Sequence, residues 1–154
     1  YMNVYGPRQD YKGTYIAVIM KILDRLDQGL PPLVYGDGSQ AYDFIYVEDV
    51  ARANICALKS GATDAFYNVG SGTQTTIKEL AEMILEVTGS NLEIQYEPAG
   101  QTFVTNRIGD PSNAIKDIDF KYKIELRDGL EKLIQWRKDH IEEVNTKRAQ
   151  VVGA

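Results

Sequence analysis

The stretch from Tyr35 to Val50 constrains the fold of this chain more than any other. Leu33 to Tyr35 are apolar and β-prone, Gly36 and Gly38 punctuate, and Phe44 to Val47 are apolar or aromatic again. That order reads as strand, glycine turn and strand. Asp49 stands where it can cap a helix running from Glu48 to about Ser60. Short β-prone runs alternating with capped helical stripes predict an α/β fold.

The rest of the chain repeats that alternation. Tyr1 to Val4 reads as a strand stopped by Gly6-Pro7. Thr14 to Gln28 reads as a helix with Ile16, Ile19, Met20 and Leu23 on one face, capped by Gly29 and barred from continuing by Pro31-Pro32. The helix after Glu48 carries Val47, Val50, Ala51, Asn54 and Leu58 at helical spacing, and Ala51, Ala53 and Ala57 keep it narrow. Ala65 to Val69 reads as a strand. Thr76 and Glu79 are spaced as a capping box for a helix over Ile77–Thr88 that ends at Gly89. Glu93 to Glu97 reads as an edge strand, and residues 100–108 as a polar loop. Asp110 is placed to cap a short helix with Pro111 at its first position. Leu126, Leu130, Leu133, Ile134, Arg137 and Ile141, with Trp136 beside them, predict one last helix over Leu126–Asn145, followed by a frayed tail over residues 146–154. A length of 154 residues fits a single domain over 1–154.

Composition removes several function classes. The net charge of −5 comes with no basic face or arm, against nucleic-acid binding through phosphate contacts. Cys56 is the one cysteine and His140 the one histidine, so no disulfide or metal framework can form around them. No apolar run approaches a membrane span and no signal peptide is visible, so a cytoplasmic location is the expectation.

Gly70-Ser71-Gly72 between a strand and a helix has the outline of a dinucleotide fingerprint, but Thr75 occupies the third glycine position and Glu93 opens its strand rather than ending it. Other stretches are more specific. Gly36-Asp37-Gly38-Ser39-Gln40, followed by Asp43-Phe44-Ile45-Tyr46-Val47 and Asp49-Val50, resembles a signature of the extended short-chain dehydrogenase/reductases that act on nucleotide sugars, with Tyr42 where that family usually has Arg. Tyr1-Met2-Asn3-Val4-Tyr5-Gly6-Pro7-Arg8-Gln9 is similar to the segment that follows the catalytic helix in the same family. Phe66 to Gly72, Arg107-Ile108-Gly109-Asp110 and Gly129 to Trp136 resemble its later motifs, in family order. A bare Arg-x-Gly-Asp reads as a surface turn. Its place after the other matches makes it informative.

The resemblance implies the C-terminal, substrate-binding part of an extended Rossmann-type short-chain dehydrogenase/reductase, an NAD-dependent nucleotide-sugar epimerase or dehydratase. The N-terminal dinucleotide-binding fingerprint is lacking. So is the family's Tyr-x-x-x-Lys pair, in which the lysine lowers the pKa of a general acid/base tyrosine while NAD takes and returns a hydride. No catalytic residue is therefore assigned. The substrate contacts implied are Asn3 to phosphate or sugar, Leu33 and Tyr35 along the base, Arg107 to the diphosphate and Asp110 to a ribose hydroxyl. Tyr42 stands in for the arginine, Arg8 is a candidate compensating cation, and Met2 would lie near the nicotinamide of NAD through its backbone. Taken alone, Asn3 reads as a polar residue near a turn and Tyr35 as a half-buried strand tyrosine. A stand-alone sugar-nucleotide-binding module and a remnant with only the fold are the competing readings. Val4, Phe66 and Val69 are expected to be exposed and to drive self-association, or to be covered by the missing N-terminal half.

Overall fold

Among the described residues no strand exceeds three residues, so hydrogen-bond ladders alone cannot hold this fold together. The computed structural model describes residues 1–9, 17–99 and 105–152. In chain order the elements are β1 (Asn3–Tyr5), α1 (Val18–Asp27), β2 (Leu33–Tyr35), β3 (Ala41–Tyr42), β4 (Phe44–Tyr46), α2 (Val47–Lys59), β5 (Thr75–Thr76) and α3 (Ile77–Thr88). They continue with β6 (Gln95–Glu97), β7 (Asn106–Arg107), α4 (Ser112–Ile118), α5 (Leu126–Asp139) and α6 (Ile141–Val152). β1 runs parallel to β4, β2 parallel to β6, and β3 lies between antiparallel β5 and parallel β7. The chain is α/β, as its alternating pattern predicts.

Helices supply most of the buried apolar side chains. Ile19, Met20, Ile22 and Leu23 of α1, Leu80, Ala81 and Ile84 of α3, and Leu130, Leu133 and Ile134 of α5 pack into one core with Tyr5, Val34 and Phe44. Ile45, Val50, Ala53, Val69, Ala114, Ile118 and Phe120 form a second, between α2 and α4. α3 begins as its capping box requires: the Thr76 hydroxyl accepts from Glu79 N–H (3.1 Å), and the Glu79 carboxylate accepts from Thr76 N–H (2.8 Å). Gly89 closes it in the left-handed conformation at φ 67°. No helix among the described residues is long and apolar enough to cross a membrane.

Several expectations are corrected. Residues 65–69 form no strand. One backbone bond, Met2 N–H to Val69 O (2.9 Å), ties them to the segment entering β1, which is too little for a ladder. Val69 is buried in the second core rather than exposed, whereas Phe66 is exposed. Asp49 does not cap α2: Tyr46 holds the cap position, and the buried Asp49 carboxylate accepts from Lys123 N–H and Ile124 N–H (both 3.0 Å) and pairs with Arg52. Leu58 points to solvent because the buried face of α2 runs through Val50 and Ala53. Pro111, not Asp110, takes the cap position of α4, so the helix begins one residue later than expected, at Ser112. The front of the predicted first helix, residues 14–16, lies outside the described residues, as do residues 100–104 of the predicted loop.

The final helix is two. α5 ends at His140, whose ring stacks on Trp136 at 4.7 Å and whose backbone sits at φ −125° and ψ 36°. α6 then continues past the predicted end at Asn145. Arg148 on α6 reaches Asp24 (3.1 Å) and Asp27 (2.8 Å) of α1, the carboxylates that also hold the buried Arg137 of α5 at 2.6 Å each.

Tyr5 reports the state of the main core. It is buried, donates to Leu126 O (3.2 Å), and meets Gly129 of α5 so closely that a side chain there would collide with its ring. Burial, reinforced by Tyr46, Asp49 and Asp128, pushes its hydroxyl well above the usual range. An unfolded chain ionises a tyrosine near pH ~10. Raising the pH above that value therefore draws the equilibrium toward the unfolded state, and stability present at lower pH is lost. Urea denaturation between neutral and strongly alkaline pH should show this loss, with a shallower slope in Tyr5→Phe. Thr76→Ala should cost about 1 kcal/mol in the same assay through loss of the α3 cap.

Candidate functional site

The candidate residues converge because three short strands meet at Asp43, the single residue between β3 and β4. Its backbone oxygen accepts from Asn3 N–H and from the Asn3 side-chain amide, both at 2.9 Å. Its N–H donates to Arg107 O at 3.0 Å. Tyr42, one residue earlier, lies in register with Arg107 on one side and Thr75 on the other. Asn3, Tyr42 and Arg107 are thereby brought together from positions far apart in the sequence.

Arg107 is exposed and makes no ion pair among the described residues. Tyr42 is half-buried, with its ring tilted against Phe44 at a centroid distance of 6.3 Å. Arg8 is not beside this pair. Its guanidinium lies over the Trp136 ring on α5, 5.7 Å from the centroid. A cation–π contact of this kind holds the guanidinium against α5.

Met2 is wedged rather than open. A Cβ built on Gly70 would stand 2.6 Å from Met2 Cγ, and one on Gly109 2.8 Å from Met2 Cγ and Sδ. Both glycines are needed for this approach, which gives their motifs a steric reason. The Met2 N–H is already bonded to Val69, so its carbonyl is what its main chain can offer a ligand.

Asp110 is exposed at the entrance to α4. Its carboxylate accepts from the Ser112 hydroxyl and from Ser112 N–H (2.9 Å), and these bonds hold it below the ordinary carboxylate range. Asn68 donates to its backbone oxygen at 3.3 Å. It is therefore an ionised acceptor whose Oδ1 is engaged from within the loop.

Leu33 and Tyr35 sit apart on the β2–β6 sheet. Pro32 O accepts from Gln95 N–H and Gly36 N–H donates to Glu97 O, so the even positions face β6. By alternation the backbone groups of Leu33 and Tyr35 face the other edge, which no strand among the described residues covers. Gln40 reaches the Tyr35 carbonyl at 3.2 Å, and the Tyr35 ring is half exposed. An exposed edge and an aromatic face suit a planar polar ring.

Sequence reasoning gave no role to Asp43 or Ser71. Asp43 is fully buried, and its carboxylate accepts from Ser71 N–H (2.9 Å), the Ser71 hydroxyl (2.7 Å) and Gly72 N–H (2.9 Å). The one available signal was an acidic residue inside an otherwise apolar run.

With this geometry in view, the likenesses to known proteins are specific. A family model described as the NAD dependent epimerase/dehydratase family matches residues 1–70. The dTDP-4-dehydro-6-deoxy-D-allose reductase of Streptomyces bikiniensis is 35% identical over 138 residues, which are 90% of this chain and 42% of that protein. The UDP-glucose 4-epimerase of Thermotoga maritima, solved with UDP-glucose, superposes with a TM-score of 0.85 at 33% identity over 92% of this chain and 45% of that one. The UDP-glucose 4-epimerase of Thermus thermophilus, solved with NAD, gives a TM-score of 0.79 at 29% identity over 91% of this chain and 45% of that one. The chain thus spans less than half the length of the relatives it matches, and aligns with their C-terminal part. On these matches the chain belongs to the NAD dependent epimerase/dehydratase family.

Proposed function

We propose that this chain is the nucleotide-sugar-holding part of an NAD-dependent nucleotide-sugar epimerase or dehydratase, and that it completes no turnover by itself. The observation that carries the reading is Arg107, an exposed guanidinium without an ion pair among the described residues, in register with Tyr42 and one hydrogen bond from the residue that holds Asn3. A guanidinium there can fork onto two oxygens of a diphosphate. Asp110, kept ionised by Ser112, accepts from a ribose hydroxyl. The open edge of β2 at Leu33 and Tyr35 takes the base. Asn3 addresses the phosphate or sugar. Relatives solved with UDP-glucose and with NAD support the ligand classes.

NAD, when bound, supplies the hydride acceptance and return that this chemistry needs. The chain's own share in holding it is small. The carbonyl of Met2 can accept from a carboxamide, while the wedged Met2 side chain leaves no other group there to offer. The glycine fingerprint and the Tyr-x-x-x-Lys pair are not in this sequence, so proton transfer at the sugar belongs elsewhere. Exposed Phe66, together with Tyr1 and Leu58, supports association with a partner domain or a second copy.

Calorimetric titration with UDP-glucose tests the reading. Arg107→Ala should weaken binding by about 1.5–3 kcal/mol through loss of a charge-assisted pair, and Tyr42→Arg should strengthen it. Unchanged affinity in Arg107→Ala removes that residue from the site. Saturable binding without turnover is the result expected of the chain alone, and no binding overturns the reading.

A further inference from the structure

Asp43 carries a buried charge that no basic side chain among the described residues neutralises. Three donors from the two-residue segment Ser71–Gly72 stabilise it instead. Burial of a carboxylate is costly without such donors, so the segment and the charge are mutually dependent. Gly72, with φ 74°, packs against the next loop: a Cβ built on it would lie 3.2 Å from Pro111 Cδ and 3.8 Å from Gly109 O. Asp110 sits between those two residues. Through its main chain the same Asp43 is bonded to Asn3 and to Arg107. One residue is therefore bonded to the strands that carry Asn3 and Arg107 and, through Ser71–Gly72, backs the loop that carries Asp110.

We propose that Asp43 is the positioning residue of this site: its carboxylate clamps Ser71–Gly72 against Gly109–Pro111 and so sets the spacing of Asn3, Arg107 and Asp110. The proposal rests on the nucleotide-sugar reading given above. Asp43 touches no ligand in this scheme. The clamp needs the carboxylate and not merely its shape. An asparagine has one acceptor oxygen, and with that oxygen turned to Ser71 its amide would face the Gly72 N–H, donor against donor. Gly72 would then move off Pro111, and Asp110 with it.

The experiment compares the whole chain with Asp43→Asn and with the milder Ser71→Ala, which keeps both backbone donors. UDP-glucose affinity is measured by calorimetry, and backbone and Asn side-chain amides are followed by nitrogen-15 NMR in the free protein. Asp43→Asn should weaken UDP-glucose at least tenfold and Ser71→Ala a few fold. Both should shift the amides of Gly72, Asp110 and Asn3 while far helices keep theirs. Combined with Arg107→Ala, the loss from Asp43→Asn should be less than additive, because Arg107 contributes only when it is placed. Strictly additive losses, or unmoved Asp110 and Asn3 amides, would overturn the proposal. If Asp43→Asn does not fold, Ser71→Ala alone decides on the same criteria. If the parent chain fails to bind UDP-glucose, the functional reading falls, while the amide shifts in the free protein still decide whether the clamp exists.

Discussion

A charge can be buried only where donors or counter-charges replace its water, and this fold depends on meeting that condition at places its short strands cannot reach. Asp43 meets it with the backbone and hydroxyl of one loop. Asp49 meets it with Arg52 and two backbone donors from the segment between α4 and α5. Arg137 meets it with two carboxylates from α1. Each group joins elements that share little or no ladder: a loop to a sheet, α2 to a coil, and α5 to α1. The cost of leaving any of them unsatisfied is several times the net value of one strand hydrogen bond. Directional constraints of this kind give a chain of two- and three-residue strands a defined register.

Local signals in the sequence were legible where they were complete within a few residues. The Thr76–Glu79 box and Gly89 bound α3 on both sides, and the helix is where they place it. β2 was legible from three apolar residues between Pro32 and Gly36. Residues 65–69 have the composition of a strand, yet a strand is defined by its neighbours, and among the described residues one backbone bond, from Met2, is what they find. The break at His140 was hidden because no glycine or proline marks it. Two contacts accompany it, a local one, the stacking of His140 on Trp136 four residues earlier, and a tertiary one, the reach of Arg148 to Asp24 and Asp27 of α1. Leu58 fits a helical stripe by spacing, but the buried stripe of α2 is rotated to put Asp49 and Val50 inward.

The candidate site divides along the same line. Motif order pointed to Asn3, Arg107 and Asp110 one by one, but not to their common anchor. Asp43 reads as one more polar residue in a motif, because its value lies in partners some thirty to seventy positions away in either direction along the chain. For Arg8 and Met2 the packing was what sequence could not give. Each is near the right segment in sequence, yet Arg8 is drawn onto Trp136 and Met2 is turned into the protein between two glycines.

Tyr42 is the residue where the chain departs from the pattern it otherwise follows, and the packing explains how the departure is tolerated. The position is half-buried, beside Phe44, and joins the rim of the main core. An arginine there would pack its stem along the same surface and send its charge outward, whereas a tyrosine contributes a ring to the core and one hydroxyl to its surroundings. Exchange of one for the other shifts the position from holding an anion toward holding the sheet. Arg107, directly across the β3–β7 pairing, is then the guanidinium left beside Tyr42 on the strand pair. On the proposed reading, a site that rests on one fork rather than two depends more heavily on where that fork is placed, and that placement is the part assigned above to Asp43.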